Sequence, residues 1–245
     1  MEKMPYRQEL DTREQDARSP MVTTQVSQTP QQIVAIPSAD VVSSDWRNGL
    51  PLMSGKSVTL RELRASDAAS LFAMLTTEEV ARFISPPPST VEGFERFIAW
   101  TLRQRAAGSY ACFAVTIQGF DTAIGIFQVR ELEPGFGTAE WGFALGSAFW
   151  GTGVFQEGAE LVLDFVFETI GTHRLEARAA VKNGRGNSAL QKMGAVQEGL
   201  LRKSFLKNGE YLDQALYAIL DVDWHAAHGA TAPRTIATKT SVQVH

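Results

Sequence analysis

Near the middle of the chain, Gly151-Thr152-Gly153-Val154 has the residue types and spacing to hold an anion on backbone alone. The segment follows an apolar run of strand length, residues 139–145, ended by Gly146 and Ser147, and precedes a run with helical periodicity. A helix that starts directly after a strand leaves several first-turn N–H groups unpaired, with the positive end of the macrodipole behind them. A phosphate can be held there without any basic side chain. Glycines at 151 and 153 would let it come close and would let the turn take positive φ. A Gly-x-Gly before a helix can equally be no more than a tight turn, and its spacing alone does not choose between the two. Neither a Gly-Lys-Ser/Thr loop nor a third glycine in dinucleotide spacing is present.

The elements needed to position this loop can be read from the pattern around it. After the loop, Phe155, Val162, Phe165, Val166 and Thr169 fall on one helical face and Glu157, Glu160, Asp164 and Glu168 on another, so the helix packs one side on a sheet. Residues 57–64 alternate as a half-buried strand. Ser66 or Asp67 can then cap a short helix through Leu75. Pro86-Pro87-Pro88 cannot be helical, which makes 77–89 a loop, and Thr90 opens a helix with the stripe Phe94, Phe97, Ile98, Leu102. Residues 110–117 and 122–130 read as two strands joined by a short turn, and 174–181 as a further strand. A short helix from Asn187 or Ser188 to Met193, with Gly194 as its C′ residue, comes next. Residues 195–205 and 210–220 then flank Asn208-Gly209, a strong hairpin signal. Residues 1–55 are rich in Gln, Thr, Ser and Pro and read as a flexible extension, 56–224 as the domain, and 225–245 as a flexible tail.

At 245 residues and 44% apolar content, the chain can bury one sizeable core. A net charge of −4 and a pI near 5.6 exclude the basic footprint that nucleic acid or an anionic membrane requires. No apolar run approaches the ~20 residues of a spanning helix, and the start of the chain lacks an apolar signal core, so a cytoplasmic protein is expected. The single Cys112 sits in an apolar strand and reads as a small buried residue. The four histidines lack metal-ligand spacing, and no metal site is expected.

At the loop, Trp150-Gly151-Thr152-Gly153-Val154-Phe155 resembles the Gln/Arg-x-x-Gly-x-Gly/Ala pattern of the GNAT superfamily of acetyl-coenzyme A-dependent N-acetyltransferases. The branch it resembles is the RimJ/RimL-type ribosomal-protein N-terminal acetyltransferases, over residues 57–224. Trp150 and Phe155 depart from the pattern, both beside the pyrophosphate site in the family. A second stretch runs from Asn183 through Asn187, Lys192 and Gly194, where the family has a strand ending in Asn-x-x-Ser and a helix along the coenzyme arm. Asn183 there can meet pantetheine amides or simply cap its own loop. The resemblance implies a mixed α/β (α+β) sandwich with a seven-stranded, mostly antiparallel sheet and helices on both faces. The strand at 139–145 would lie parallel to, and splay from, the strand at 174–181.

It also implies acetyl-CoA as co-substrate and an amine acceptor, either a protein N-terminus or a small molecule, in a monomer or homodimer. The amine would attack the thioester directly, so the protein must orient the substrates, remove a proton and stabilise an oxyanion. Phe143, Ala144 and Leu145 match the splayed strand that binds pantetheine. Residues Trp150, Gly151, Thr152, Gly153, Val154 and Phe155 match the phosphate loop, with Asn183, Asn187 and Lys192 on the next helix. Glu140, the acid on the splayed strand, is the candidate base. Gln191 stands where other members carry a Tyr that reprotonates the thiolate, leaving Tyr217 as a weaker candidate. Asp213 and Arg202 match branch positions, where structural pairing is an equal reading. The alternatives are a non-catalytic acyl-CoA-binding sensor or scaffold and an unrelated α/β binding protein.

Overall fold

The computed structural model of the chain describes residues 45–229. Its eight strands form one sheet in the order β1-β2-β3-β4-β5-β6-β8-β7. The strands are β1 (Met53–Ser54), β2 (Val58–Glu62), β3 (Tyr110–Ile117), β4 (Gly125–Glu131), β5 (Thr138–Leu145), β6 (Arg174–Ala180), β7 (Val196–Lys207) and β8 (Glu210–Leu220). Every neighbouring pair is antiparallel except β5 and β6. The mixed, mostly antiparallel architecture is the one expected, with one strand more than seven. The extra strand is β1, whose Met53 and Ser54 pair with Leu60 and Thr59.

The strands alternate between two cores. Ala111, Phe113, Val115, Trp141 and Leu145 join one cluster with helix α4 (Val154–Asp164), while Tyr110, Cys112, Ala114 and Ala144 join the other with α1 (Ala68–Leu75), the short α2 (Glu78–Ala81) and α3 (Val91–Ala106). A sheet covered on both faces explains why β3 is buried almost throughout. Thr90 caps α3 as expected, its Oγ1 accepting from Gly93 N at 3.0 Å. Asp67 serves elsewhere: its carboxylate accepts from buried Arg61 and from Arg64 N. That tie joins β2 to the start of α1. The Asn208-Gly209 hairpin forms with both residues at positive φ.

The packed domain extends beyond 56–224 at both ends. Trp46 is buried edge-on against Phe136 and Phe165, so order begins before β1. At the other end, α6 (Asp221–His228) is anchored by Trp224, which is buried and donates to Asp164 Oδ1 at 3.2 Å. The rest of the two flexible segments read from sequence, 1–44 and 230–245, lies outside the described residues. Between α4 and β6 the helix continues as a π-helical segment, Phe165–Ile170, closed by Gly171 at φ 80°.

Candidate functional site

One edge of β5 is fully paired and the other opens. Toward β4 the ladder runs from Gly125↔Leu145 to Glu131↔Ala139. Toward β6 it runs only from Thr138↔Arg174 to Glu140↔Glu176, and the parallel strands then part. Residues 141–145 therefore carry backbone groups on an edge without a β6 partner, where an extended ligand can be paired. Trp150 Nε1 closes the end of that edge by donating to Leu145 O at 3.0 Å.

The loop below the gap has the geometry an anion needs. Gly151 and Gly153 take φ of 77° and 89°, and a Cβ added to either would meet nothing within 4 Å. Packing does not demand glycine there; the left-handed backbone and the open approach do. Gly153 is the N-cap of α4, and no side chain caps that helix. Thr152 Oγ1 turns back to Phe149 O at 2.8 Å. Glu157, the acid in the first turn, is drawn away to Ser57, whose backbone N donates to Oε1 at 2.9 Å and whose hydroxyl donates to Oε2. Burial raises the Glu157 carboxyl, but the Ser57 hydroxyl and the backbone N–H groups around it outweigh this and hold it below the ordinary value. The first-turn N–H groups of α4 are thus left facing outward with the positive helix end behind them.

Above the loop, Phe155 lies against Phe143 with ring centroids 4.5 Å apart and reaches Phe127 at 5.9 Å. The large residue at 155 therefore narrows the wall of the gap. Gly158 lets α4 approach β4, since a Cβ there would lie 2.7 Å from Phe127 Cε2. Val154 and Leu145 are buried in the same core, whereas Ala144 faces α1 and α3.

Helix α5 (Gly184–Lys192) begins earlier than its expected start at 187 or 188, because Asn183 is the cap: its Oδ1 accepts from Gly186 N at 3.0 Å. Its Nδ2 is left for another partner. Asn187 ties α5 to the sheet, donating to Ala180 O at 2.9 Å and accepting from Tyr217 OH at 3.0 Å. Burial raises the Tyr217 hydroxyl above its ordinary value. Lys192 is exposed at the far end of α5. At the near end stands Arg185, which the sequence reading passed over. Its guanidinium lies 3.9 Å above the Trp150 ring. Nothing in the local sequence pairs these two residues; only the packing of α5 beside the loop does.

Glu140 belongs to the opposite face. It alternates with Trp141 and shares the Ala144 side of β5, where it is buried and paired with Arg130, Nε to Oε2 at 2.6 Å. It is also the last β5 residue paired with β6, so it stands where the gap opens. The 77–89 segment, expected as a loop, opens with the short helix α2, Glu78–Ala81, whose N-cap Thr77 accepts from Val80 N; it meets the β7–β8 hairpin on this side. Phe83 packs on Ala180, Phe205 and Leu212, and Lys207 Nζ donates to Ile84 O at 2.8 Å. Asp213 shapes that hairpin, its Oδ1 accepting from Lys203 N at 2.8 Å where a bulge puts Lys203 at φ 51°.

A parallel pair that splays beside an uncapped glycine turn is the arrangement the sequence resemblance implied, and residues 57–196 match the family model described as an acetyltransferase (GNAT) domain. The chain belongs to the GNAT acetyltransferase family. It is 25% identical over 164 residues to an uncharacterised N-acetyltransferase, p20, of Bacillus licheniformis, covering 66% of this chain and 92% of that protein. It is 26% identical over 98 residues to the ribosomal-protein-serine acetyltransferase of Escherichia coli, covering 40% of this chain and 55% of that protein. The fold superposes on Mycobacterium smegmatis RimJ, solved in complex with CoA-disulfide, with a TM-score of 0.60 at 20% identity, covering 73% of this chain and 93% of that one. As a GNAT acetyltransferase the chain is an enzyme, of a family that uses acetyl-CoA as its co-substrate. Among the described residues no helix is long and apolar enough to cross a membrane.

Proposed function

We propose that this GNAT domain acetylates a primary amine, foremost a protein N-terminus, by direct attack within a ternary complex. The observation that carries the reading is the gap beyond Glu140↔Glu176, because it joins the two faces of the sheet. On the α4 and α5 face, the amides of residues 151–155 meet the coenzyme phosphates, and the β5 edge at 143–145, up to the Leu145 carbonyl that Trp150 holds, meets its amide arm. Asn183, through its Nδ2, and Lys192 stand along the other side of that arm. On the opposite face, the acceptor enters between the 77–89 segment and the β7–β8 hairpin, and its amine reaches the thioester through the gap. An extended peptide suits that groove between two backbone segments; the same chemistry on a small amine would need less of it.

Glu140 serves as the base in this reading. An acceptor amine arrives as ammonium at neutral pH, and a buried carboxylate at the mouth of the gap can take its proton directly or through one water. Arg130 holds the carboxylate in place. Tyr217, on the coenzyme face, is the remaining candidate to return a proton to the thiolate. The test is coenzyme-dependent thiol release across N-terminal peptides and small amines, with the wild type and Glu140→Gln side by side. Turnover should fall by roughly 10²- to 10⁴-fold in the variant at unchanged coenzyme affinity, and the defect should shrink at high pH, where the amine is already neutral. Coenzyme binding with no thiol release for any amine would overturn the enzymatic assignment of the acceptor groove. Near-normal turnover of Glu140→Gln at pH 7 would remove Glu140 from the mechanism.

A further inference from the structure

The phosphate loop of this chain has no positive side chain. From Gly146 to Glu157 the sequence contains no Lys or Arg, and the position that is Gln or Arg in the resembled pattern is Trp150. The helix end alone supplies only about half an elementary charge, and that is screened in solvent. One phosphate can rest on that backbone alone, but a diphosphate carries more charge than the helix end offsets, and a cation from another element would complete its site.

We infer that Arg185 is that cation, brought to the loop from α5 by stacking on Trp150, and that it contacts the diphosphate of acetyl-CoA. The inference rests on the coenzyme reading above and deepens it. Three observations carry it. The guanidinium sits 3.9 Å from the Trp150 ring centroid, close enough for a flat stack that leaves its N–H groups available around the edge. The ring itself is fixed, partly buried against both cores and held by Nε1 on Leu145 O at 3.0 Å. No carboxylate among the described residues forms an ion pair with Arg185, although the side chain is exposed. A guanidinium placed by an aromatic platform, directly before an uncapped helix start, presents a planar donor fork to phosphate oxygens. Trp150 is then the residue that relocates the charge, and its departure from the pattern acquires a purpose.

The Asn183 cap supports the placement. It begins α5 at Gly184, which puts Arg185 in the first turn, beside the loop and at the opposite end of the helix from Lys192. Of the two basic residues on α5, only Arg185 touches the loop.

The experiment measures affinity for acetyl-CoA, its 3′-dephospho form and acetyl-pantetheine in the wild type, Arg185→Ala, Trp150→Leu and the double variant. Arg185→Ala should weaken acetyl-CoA and the dephospho form alike by about tenfold, while acetyl-pantetheine, which has no phosphate, binds as before. Trp150→Leu should weaken the same two ligands, and the double variant should be about as weak as Arg185→Ala alone, well short of additive. Equal weakening of acetyl-pantetheine would show that the stack only supports the fold, and overturn the assignment. A loss confined to acetyl-CoA and absent from the dephospho form would place Arg185 on the 3′-phosphate and overturn the diphosphate contact. Unchanged acetyl-CoA affinity in a folded Arg185→Ala protein would remove Arg185 altogether. Failure of the wild type to bind any of the three would overturn the coenzyme reading itself, a separate result.

Discussion

Helices α4 and α5 start side by side at the same gap and finish their first turns in opposite ways. Asn183 caps α5 by accepting from Gly186 N, whereas α4 starts from Gly153 with no side chain in the cap position, and the acid of its first turn is held by Ser57. A helix end buried against the protein is normally satisfied by such a cap. The open start of α4 is therefore the one able to take a ligand, as the proposed function has it, and the closed start of α5 places side chains beside it. Two segments that look alike as motif matches thus differ in what they can do for an anion.

The largest effect is expected at the open start. Acetyl-CoA at ~100 times its dissociation constant should stabilise the wild type by about 2.7 kcal/mol. Gly153→Val should remove most of this response, because a branched side chain would stand where the phosphate approaches. Val at φ 89° also strains the ligand-free protein, by about 1–2 kcal/mol, which thermal unfolding without ligand measures separately. Because nothing lies within 4 Å of the added Cβ, any loss beyond that backbone cost needs the ligand to be present. A folded Gly153→Val protein with the full ligand response would make α4's start an ordinary turn and erase the comparison.

At the closed start the balance should reverse. Asn183→Ala should lower stability by about 1 kcal/mol through loss of the cap and keep most of the acetyl-CoA response. Asn183→Asp restores a capping oxygen and removes the Nδ2 donor, so it should recover the stability. If Asn183→Asp were stable but had lost the ligand response, Asn183 would be primarily a coenzyme ligand, and the two starts would be less different than their caps suggest.

How much of this could be read from sequence follows the range of the forces involved. Strand alternation, the Thr90 cap and the Asn208-Gly209 turn depend on a few neighbouring residues, and each appears where local patterns put it. The splay of β5 from β6 and the loop beside it were reachable through the resemblance, since glycine spacing alone does not distinguish an anion site from a turn. What escaped is set by distant partners. Arg185 gains its meaning only from Trp150, Glu157 from Ser57 and Asn187 from Tyr217, all contacts between separate elements. Trp46 lies outside the 56–224 reading for a similar reason: it is a single anchor in polar surroundings, and one buried aromatic makes no periodic signal.

The smallest effect concerns the clasp that keeps α4's start open. Glu157 is held below its ordinary value of 4.5 against the opposing effect of burial, by the Ser57 hydroxyl and the neighbouring backbone N–H groups. A carboxyl lowered on folding stabilises the native state above its unfolded value, and this contribution is lost as pH falls through the folded value. Wild-type stability should therefore carry a component that is constant from neutral pH to about 4.5 and declines below it. Glu157→Gln cannot ionise, so its melting temperature should be modestly lower at pH 7 and should converge on the wild type as the pH drops below 4.5. The clasp also directs this charge away from the anion site, so acetyl-CoA affinity at pH 7 should change less than about twofold. Melting curves from pH 7 to 3, with a ligand titration at pH 7, test both statements. A constant offset between the two proteins at every pH would show that Glu157 contributes shape and not charge. A large gain in acetyl-CoA affinity in Glu157→Gln would show that the carboxylate still opposes the phosphates, so that α4's start is only partly open.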